Sequence, residues 1–170
     1  YISILTDTGG FHFGHITPHT FEICRRCTEA GAKPEAIARA VYDSSTLGRL
    51  RLMGAVLHQL DLEANGRIAL VNMSLKMLAD CGATQEDSDG LINLPLTVKE
   101  IVAVAFFKEI STGSYRISLR SKGDVDVNRV AAKFGGGDPT GNPRLRTAID
   151  TSYRKAFSAI FDAHVTQFLT

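Results

Sequence analysis

An excess of charge of either sign is missing from this chain. Lysine and arginine number 19 and aspartate and glutamate 18, for a net charge of +1. No global field therefore draws it to nucleic acid or to a membrane surface, and any contact with a polyanion has to come from a local patch. Long hydrophobic runs are missing too. The longest, Ile101 to Phe107, falls far short of the roughly 20 apolar residues that span a bilayer. The opening Tyr1-Ile2-Ser3-Ile4-Leu5 has neither the basic flank nor the cleavage site of a signal peptide. It also has no initiator methionine, so we expect it to begin inside a longer or processed polypeptide. Cysteines number three, which gives no disulfide framework and makes a reducing cytoplasm the expected compartment. Cys24-Arg25-Arg26-Cys27 is a lone pair with no second pair at zinc-ribbon spacing, and its mid-helix position does not suit a thioredoxin-type site. Ordinary helix packing explains it better. There is no internal repeat.

What is present is ordinary globular composition, 44% hydrophobic and 22% charged over 170 residues, enough for one domain or two small ones. Ile2, Ile4 and Leu5 predict a short apolar strand ending at Asp7. Thr17-Pro18 reads as the N-cap and first position of a helix closing at Gly31. A second helix starts at Pro34 and stops near Asp43. Leu47, Leu50, Met53, Val56, Leu57 and Leu60 recur at helical spacing and predict a third. Asn65-Gly66 marks a tight hairpin between Leu60–Ala64 and Arg67–Asn72. Ser74 to Cys81 fits a short helix closed by Gly82, and 83–90 is a polar, acidic loop. Ile101 to Phe107 predicts a buried strand, turned at Thr112-Gly113 into Tyr115 to Leu119. Asp124 or Asp126 caps a helix carrying Val127 and Val130. An irregular stretch, Asp138-Pro139-Thr140-Gly141-Asn142-Pro143, precedes a last helix from about Ile149 to Phe168. The expected divide is near Leu60, with residues 1–60 and 61–170 as separate units.

Three groups of residues have the chemistry of a site. Asp7, at the expected strand end before Thr8-Gly9-Gly10, is a hard oxygen ligand where α/β folds open their sites; the alternative is that it bonds the amides of its own turn. His12, His15 and His19 follow, but alternate residues of an extended segment diverge, and His19 falls in the first turn of a helix. Arg120, Ser121 and Lys122 offer a fork for phosphate, a hydroxyl and a point charge. Gly135, Gly136 and Gly137 allow backbone amides to approach a ligand; the bland alternative is a solvated strand end and a flexible linker.

Thr6-Asp7-Thr8-Gly9-Gly10-Phe11 resembles the last metal-binding motif of the DHH phosphoesterases. Ser118-Leu119-Arg120-Ser121-Lys122 through Phe134-Gly135-Gly136-Gly137 resembles the DHHA1 substrate-binding domain attached to them, and Asp89-Gly90-Leu91-Ile92-Asn93 matches the stretch ahead of its central strands. The likeness covers nearly the whole chain and is greatest to the RecJ-like short-oligoribonucleotide hydrolases that also dephosphorylate 3′-phosphoadenosine 5′-phosphate (pAp). The resemblance implies an α/β fold: the end of a DHH Rossmann-like domain with a helical segment (1–60), then a DHHA1 mixed-sheet domain (61–170). It implies two divalent metals, manganese or magnesium, activating water, with Asp7 as one ligand. Arg120, Ser121, Lys122 and Gly135–Gly137 would hold a short oligonucleotide or nucleotide substrate.

Two departures stand out. The family's earlier metal motifs have no counterpart here, and the glycine loop runs into Asp138 where the family carries a histidine. The sequence therefore predicts the C-terminal portion of a two-domain phosphoesterase, inactive on its own. The alternative is a non-catalytic module for nucleotide or single-stranded nucleic acid. No membrane partner is expected, and the long terminal helix offers a face for a homodimer.

Overall fold

A computed structural model describes residues 1–12, 16–136, 144–148 and 151–166, with 144–148 and 151–158 described by backbone alone. Two compact units divide between Ser45 and Thr46, earlier than the expected divide near Leu60.

Among its described residues the first unit holds three helices: α1 (Ile2–Asp7), α2 (Pro18–Glu29) and α3 (Pro34–Tyr42). The expected strand at Ile2 to Leu5 is thus a helix. A strand needs a neighbour to pair its amides and carbonyls, and no strand occurs among the described residues of this unit. Its backbone is satisfied within itself instead: Leu5 N donates to Tyr1 O at 2.9 Å, Thr8 N to Ile4 O at 3.1 Å and Gly10 N to Leu5 O at 2.8 Å. Leu5 is the buried residue of α1, and the Tyr42 hydroxyl of α3 donates to its carbonyl at 3.3 Å. Helix α2 starts as its sequence predicts, with Thr17 and Thr20 in a reciprocal capping box and Pro18 in the first turn.

The second unit is built on a five-stranded sheet in chain order: β1 (Asp61–Glu63), β2 (Ile68–Met73), β3 (Ala103–Ser111), β4 (Ser114–Ser121) and β5 (Arg144–Ala148). All pairs are antiparallel except β2 with β3, so the sheet is mixed. A parallel neighbour requires a crossover. Helix α5 (Leu75–Cys81) and three short 3-10 turns fill it. The hairpin between β1 and β2 turns through Ala64, Asn65 and Gly66, all at positive φ, which is the backbone that an Asn-Gly pair tolerates. Ser74 caps α5 and Gly82 closes it in the left-handed region, as the sequence predicts.

Side-chain alternation gives the sheet two apolar faces. On one, Ile68, Leu70, Ala103, Ala105, Phe107, Ile117 and Leu119 pack with Val127 and Val130, around helix α6 (Asn128–Lys133), and with Phe161 and Val165 of α7 (Thr151–Thr166). On the other, Ala69, Val71, Met73, Val104 and Phe106 pack with Leu52 and Val56 of α4 (Leu47–His58), Leu78 of α5, and Leu91 and Ile92. Burial of Leu52 and Val56 in this core explains why α4 belongs to the second unit. Close approach of α4 to α5 depends on Gly48: a Cβ there would run into the Gly82 carbonyl oxygen and lie 2.9 Å from its carbon.

On β4 the second apolar face gives way to polar side chains. Arg116, Ser118 and Arg120 stand opposite Lys108, Phe106 and Val104 of β3, and cross-strand partners share a face. This open shelf beside the core is what positions the site. Among the described residues no helix is long and apolar enough to cross a membrane.

Candidate functional site

The shelf on β4 forms the floor of a cavity of about 270 Å³. Arg120, Ser118 and Arg116 line it from β4, Lys108 and Phe106 from β3, and Ser88 to Gly90 from the loop opposite. A second cavity of about 360 Å³ shares Asp89, Lys108 and Arg116 with the first and extends to Gln85, Glu86 and Ile110. Together they make one groove with three cations spaced along its floor.

The loop wall is held rigidly for so polar a segment. Arg49 of α4 donates from Nη1 to Asp87 O at 2.6 Å and from Nη2 to Asp89 O at 2.7 Å. Thr46, whose Oγ1 caps α4, also donates to Asp87 Oδ1 at 3.0 Å. The Thr84 amide reaches Asp87 Oδ2 at 2.8 Å. That amide bond, with those from the Thr46 and Thr84 hydroxyls and the nearby Arg49 charge, holds the Asp87 carboxyl below its ordinary pKa. Gly90 sits at φ +82°, a conformation that favours glycine. Glu86, the residue before Asp87, is also held more acidic than usual, chiefly by its own amide and Thr84, with a smaller contribution from the charge of Lys108. Lys108 Nζ donates to Gln85 O at 2.8 Å, tying the floor to the wall.

The residues singled out from sequence do not converge on one point. Arg120 lines the groove, with Nη1 donating to Leu119 O at 2.8 Å. Ser121 is the next residue on the strand and so takes the opposite face; its hydroxyl donates to Val125 O at 2.5 Å, turning the chain out of β4. Lys122 Nζ donates to the carbonyls of Val98 at 2.6 Å and Leu96 at 3.1 Å. The Gly135 and Gly136 amides close α6: Gly136 N donates to Ala131 O at 3.0 Å and Gly135 N to Ala132 O at 3.1 Å. With Gly135 at φ +71° this is a Schellman cap, so both amides serve the helix. Gly137 lies outside the described residues.

Asp7 is exposed at the C-terminal end of α1, with the Thr6 hydroxyl 3.5 Å from its Oδ1. A helix C-terminus offers a carboxylate no favourable field. Among the described residues no three His, Cys, Asp or Glu side chains gather in a way that could hold a metal ion, and His15 lies outside them. The described residues therefore do not fit a two-metal centre. Cys24, Cys27 and Cys81 are free thiols.

Sequence reasoning passed over Lys108 and Arg116, and named Ser118 only as the start of a motif and not among the substrate-binding residues. A signal was present: Arg116, Ser118 and Arg120 alternate along one strand, and the Thr112-Gly113 turn sets the register that brings Lys108 opposite Arg116. Arg49, which braces the wall from a distant helix, left no such signal.

No family model matches the chain. Among curated proteins it is 30% identical over 161 residues to the bifunctional oligoribonuclease and PAP phosphatase NrnA of Thermus thermophilus, covering 92% of this chain and 47% of that protein. A shorter likeness, 78% identical over 45 residues, is to a probable transcriptional regulatory protein of Chlorobium phaeovibrioides; it covers 26% of this chain and 18% of that protein. Among solved structures, an exopolyphosphatase-related protein from Bacteroides fragilis matches with a TM-score of 0.83 and 28% identity, covering 97% of this chain and 48% of that one. The chain spans about half the length of the NrnA relatives it matches. Likeness in sequence and in fold runs through nearly all of the chain, and it belongs to the DHH/DHHA1 phosphoesterase family.

Proposed function

We propose that the chain supplies the substrate-holding part of a metal-dependent phosphoesterase that hydrolyses short oligonucleotides or nucleotide bisphosphates such as pAp. The observation that carries this reading is the groove over β4, where Arg120, Arg116 and Lys108 line one floor with Ser118 between the arginines. A guanidinium presents a planar fork of donors that matches phosphate, and the strand spaces such groups without bringing in a hydrophobic wall. In this reading residues 61–170 are the DHHA1 domain, and Arg120 with Ser118 holds a terminal phosphate. The two divalent metals, expected to be manganese with magnesium as the other choice, would supply the activated water, and Asp7 would need companions to contribute to their site. Reducing cytoplasm is the compartment that suits three free thiols, and a homodimer through the last helix remains part of the proposal.

The test is hydrolysis of pAp and of a short oligoribonucleotide by the complete protein, with manganese and with chelator. Manganese-dependent release of phosphate or mononucleotide is the expected result. No turnover by a complete protein with bound manganese would refute it.

A second reading, a binding module without catalysis, is favoured by Asp7 having no companion metal ligands among the described residues. It predicts nucleotide affinity that is unchanged by chelator and no product at any metal concentration.

A further inference from the structure

The groove extends past the Arg120 end, and its far end is cationic on its own account. Lys108 and Arg116 are direct cross-strand partners. Like charges so placed destabilise a sheet, and nothing in the core requires them. Among the described residues the Arg116 side chain makes neither a hydrogen bond nor an ion pair. β5 sets another arginine, Arg146, opposite Arg116 in the register. Arg116 and Arg120 are four residues apart on one strand, roughly 13 Å, with Ser118 midway. Steps of roughly 7 Å along the strand are comparable to the separation of successive phosphates in an extended oligonucleotide.

The flanking groups separate the two ends chemically. Glu86 borders only the Lys108–Arg116 cavity, while Ser118 and Gly90 border only the Arg120 cavity. A carboxylate beside two cations leaves a smaller positive excess, suited to the single charge of a phosphodiester rather than to a terminal phosphate, which carries close to two charges at neutral pH. Gln85 Oε1 at the same end is buried without a donor among the described residues, and a ligand hydroxyl or amine would supply one.

We infer that Lys108 and Arg116 form a second anion subsite that takes an internal phosphodiester of a ligand whose terminal phosphate lies at Arg120. This rests on the phosphate-binding reading of the Arg120 end and adds a preference: chains of three or more nucleotides gain contacts that a mononucleotide cannot make.

The experiment compares binding of a 5′-phosphorylated trinucleotide and of the matching 5′-mononucleotide to the intact protein and to its Arg116→Gln, Arg116→Lys and Arg120→Gln variants, at several salt concentrations. Arg116→Gln is expected to weaken the trinucleotide about tenfold, the effect of losing one charged contact, and to leave the mononucleotide unchanged. Its salt slope for the trinucleotide should fall by roughly 0.7, and Arg116→Lys should restore most of that slope. Arg120→Gln should weaken both ligands. If Arg116→Gln leaves the trinucleotide intact, or weakens both ligands equally, while Arg120→Gln still weakens both, the second subsite is refuted and the first stands. If Arg120→Gln changes neither ligand, the underlying reading fails and this inference with it.

Discussion

Two glycines of α4 predict opposite responses to one substitution. Gly48→Ala places a methyl group against backbone: the Gly82 carbonyl oxygen in direct overlap, the Gly82 carbon at 2.9 Å and Ala83 Cα at 3.2 Å. No rotamer change relieves this, so α4 must move away from α5, and Leu52 and Val56 are fully buried beneath it. Overpacking of this kind costs about 3 kcal/mol, the upper part of the usual range, because the obstacle is main chain. Alanine returns about 1 kcal/mol of helix propensity, so the net loss is roughly 2 kcal/mol. Gly54, two turns along the same helix, is exposed, and a Cβ there meets nothing within 4 Å. Gly54→Ala should therefore gain up to about 1 kcal/mol. Urea denaturation followed by circular dichroism reads both from the shift in midpoint at constant slope. A gain in both variants, or a Gly48→Ala midpoint equal to or above the parent, would refute the packing account of α4 on α5.

Other consequences follow from the same geometry. Arg49→Met removes the two donors that brace Asp87 O and Asp89 O; a loss of about 1–2 kcal/mol and weaker nucleotide binding are expected, read by thermal melting and calorimetric titration. Asp87 is held below its ordinary pKa, so its contribution is present above the unfolded value of about 3.9 and fades as pH falls through the lower folded value. The protection of the Thr84 amide, its exchange rate taken relative to the intrinsic rate at each pH, should fall on acidification below about pH 4, and Asp87→Asn should remove that pH dependence. Phe161 is fully buried against the sheet, so Phe161→Ala should cost about 3–5 kcal/mol, measured by the same urea titration.

Short-range chemistry was the part of the fold most legible in the sequence. The Asn65-Gly66 turn, the Ser74 and Gly82 caps of α5 and the Pro18 and Pro34 helix starts each depend on a few adjacent residues, and all stand as expected. Ile2 to Leu5 was misjudged because strand formation depends on a neighbour, whereas α1 needs only its own carbonyls. The site divides in the same way. Arg120 was identifiable as a phosphate fork, but grouping it with Ser121 and Lys122 ignored strand alternation, which sends consecutive side chains to opposite faces. Gly135 and Gly136 looked like a ligand cradle because a helix cap and an anion nest use the same residue type; only the bonds to Ala131 and Ala132 distinguish them. Arg49 acts across 40 residues of sequence, a distance at which periodicity carries no information.

The account centres on a phosphorylated nucleotide lying over β4. Amide chemical-shift mapping with pAp tests that most directly. The largest shifts are predicted at Gly90, Ser118 and Arg120, with little change at Ser121, Gly135 and Gly136, whose groups are committed to Val125 and the α6 cap. Shifts centred on Gly135 and Gly136 with Ser118 and Arg120 unmoved would contradict it.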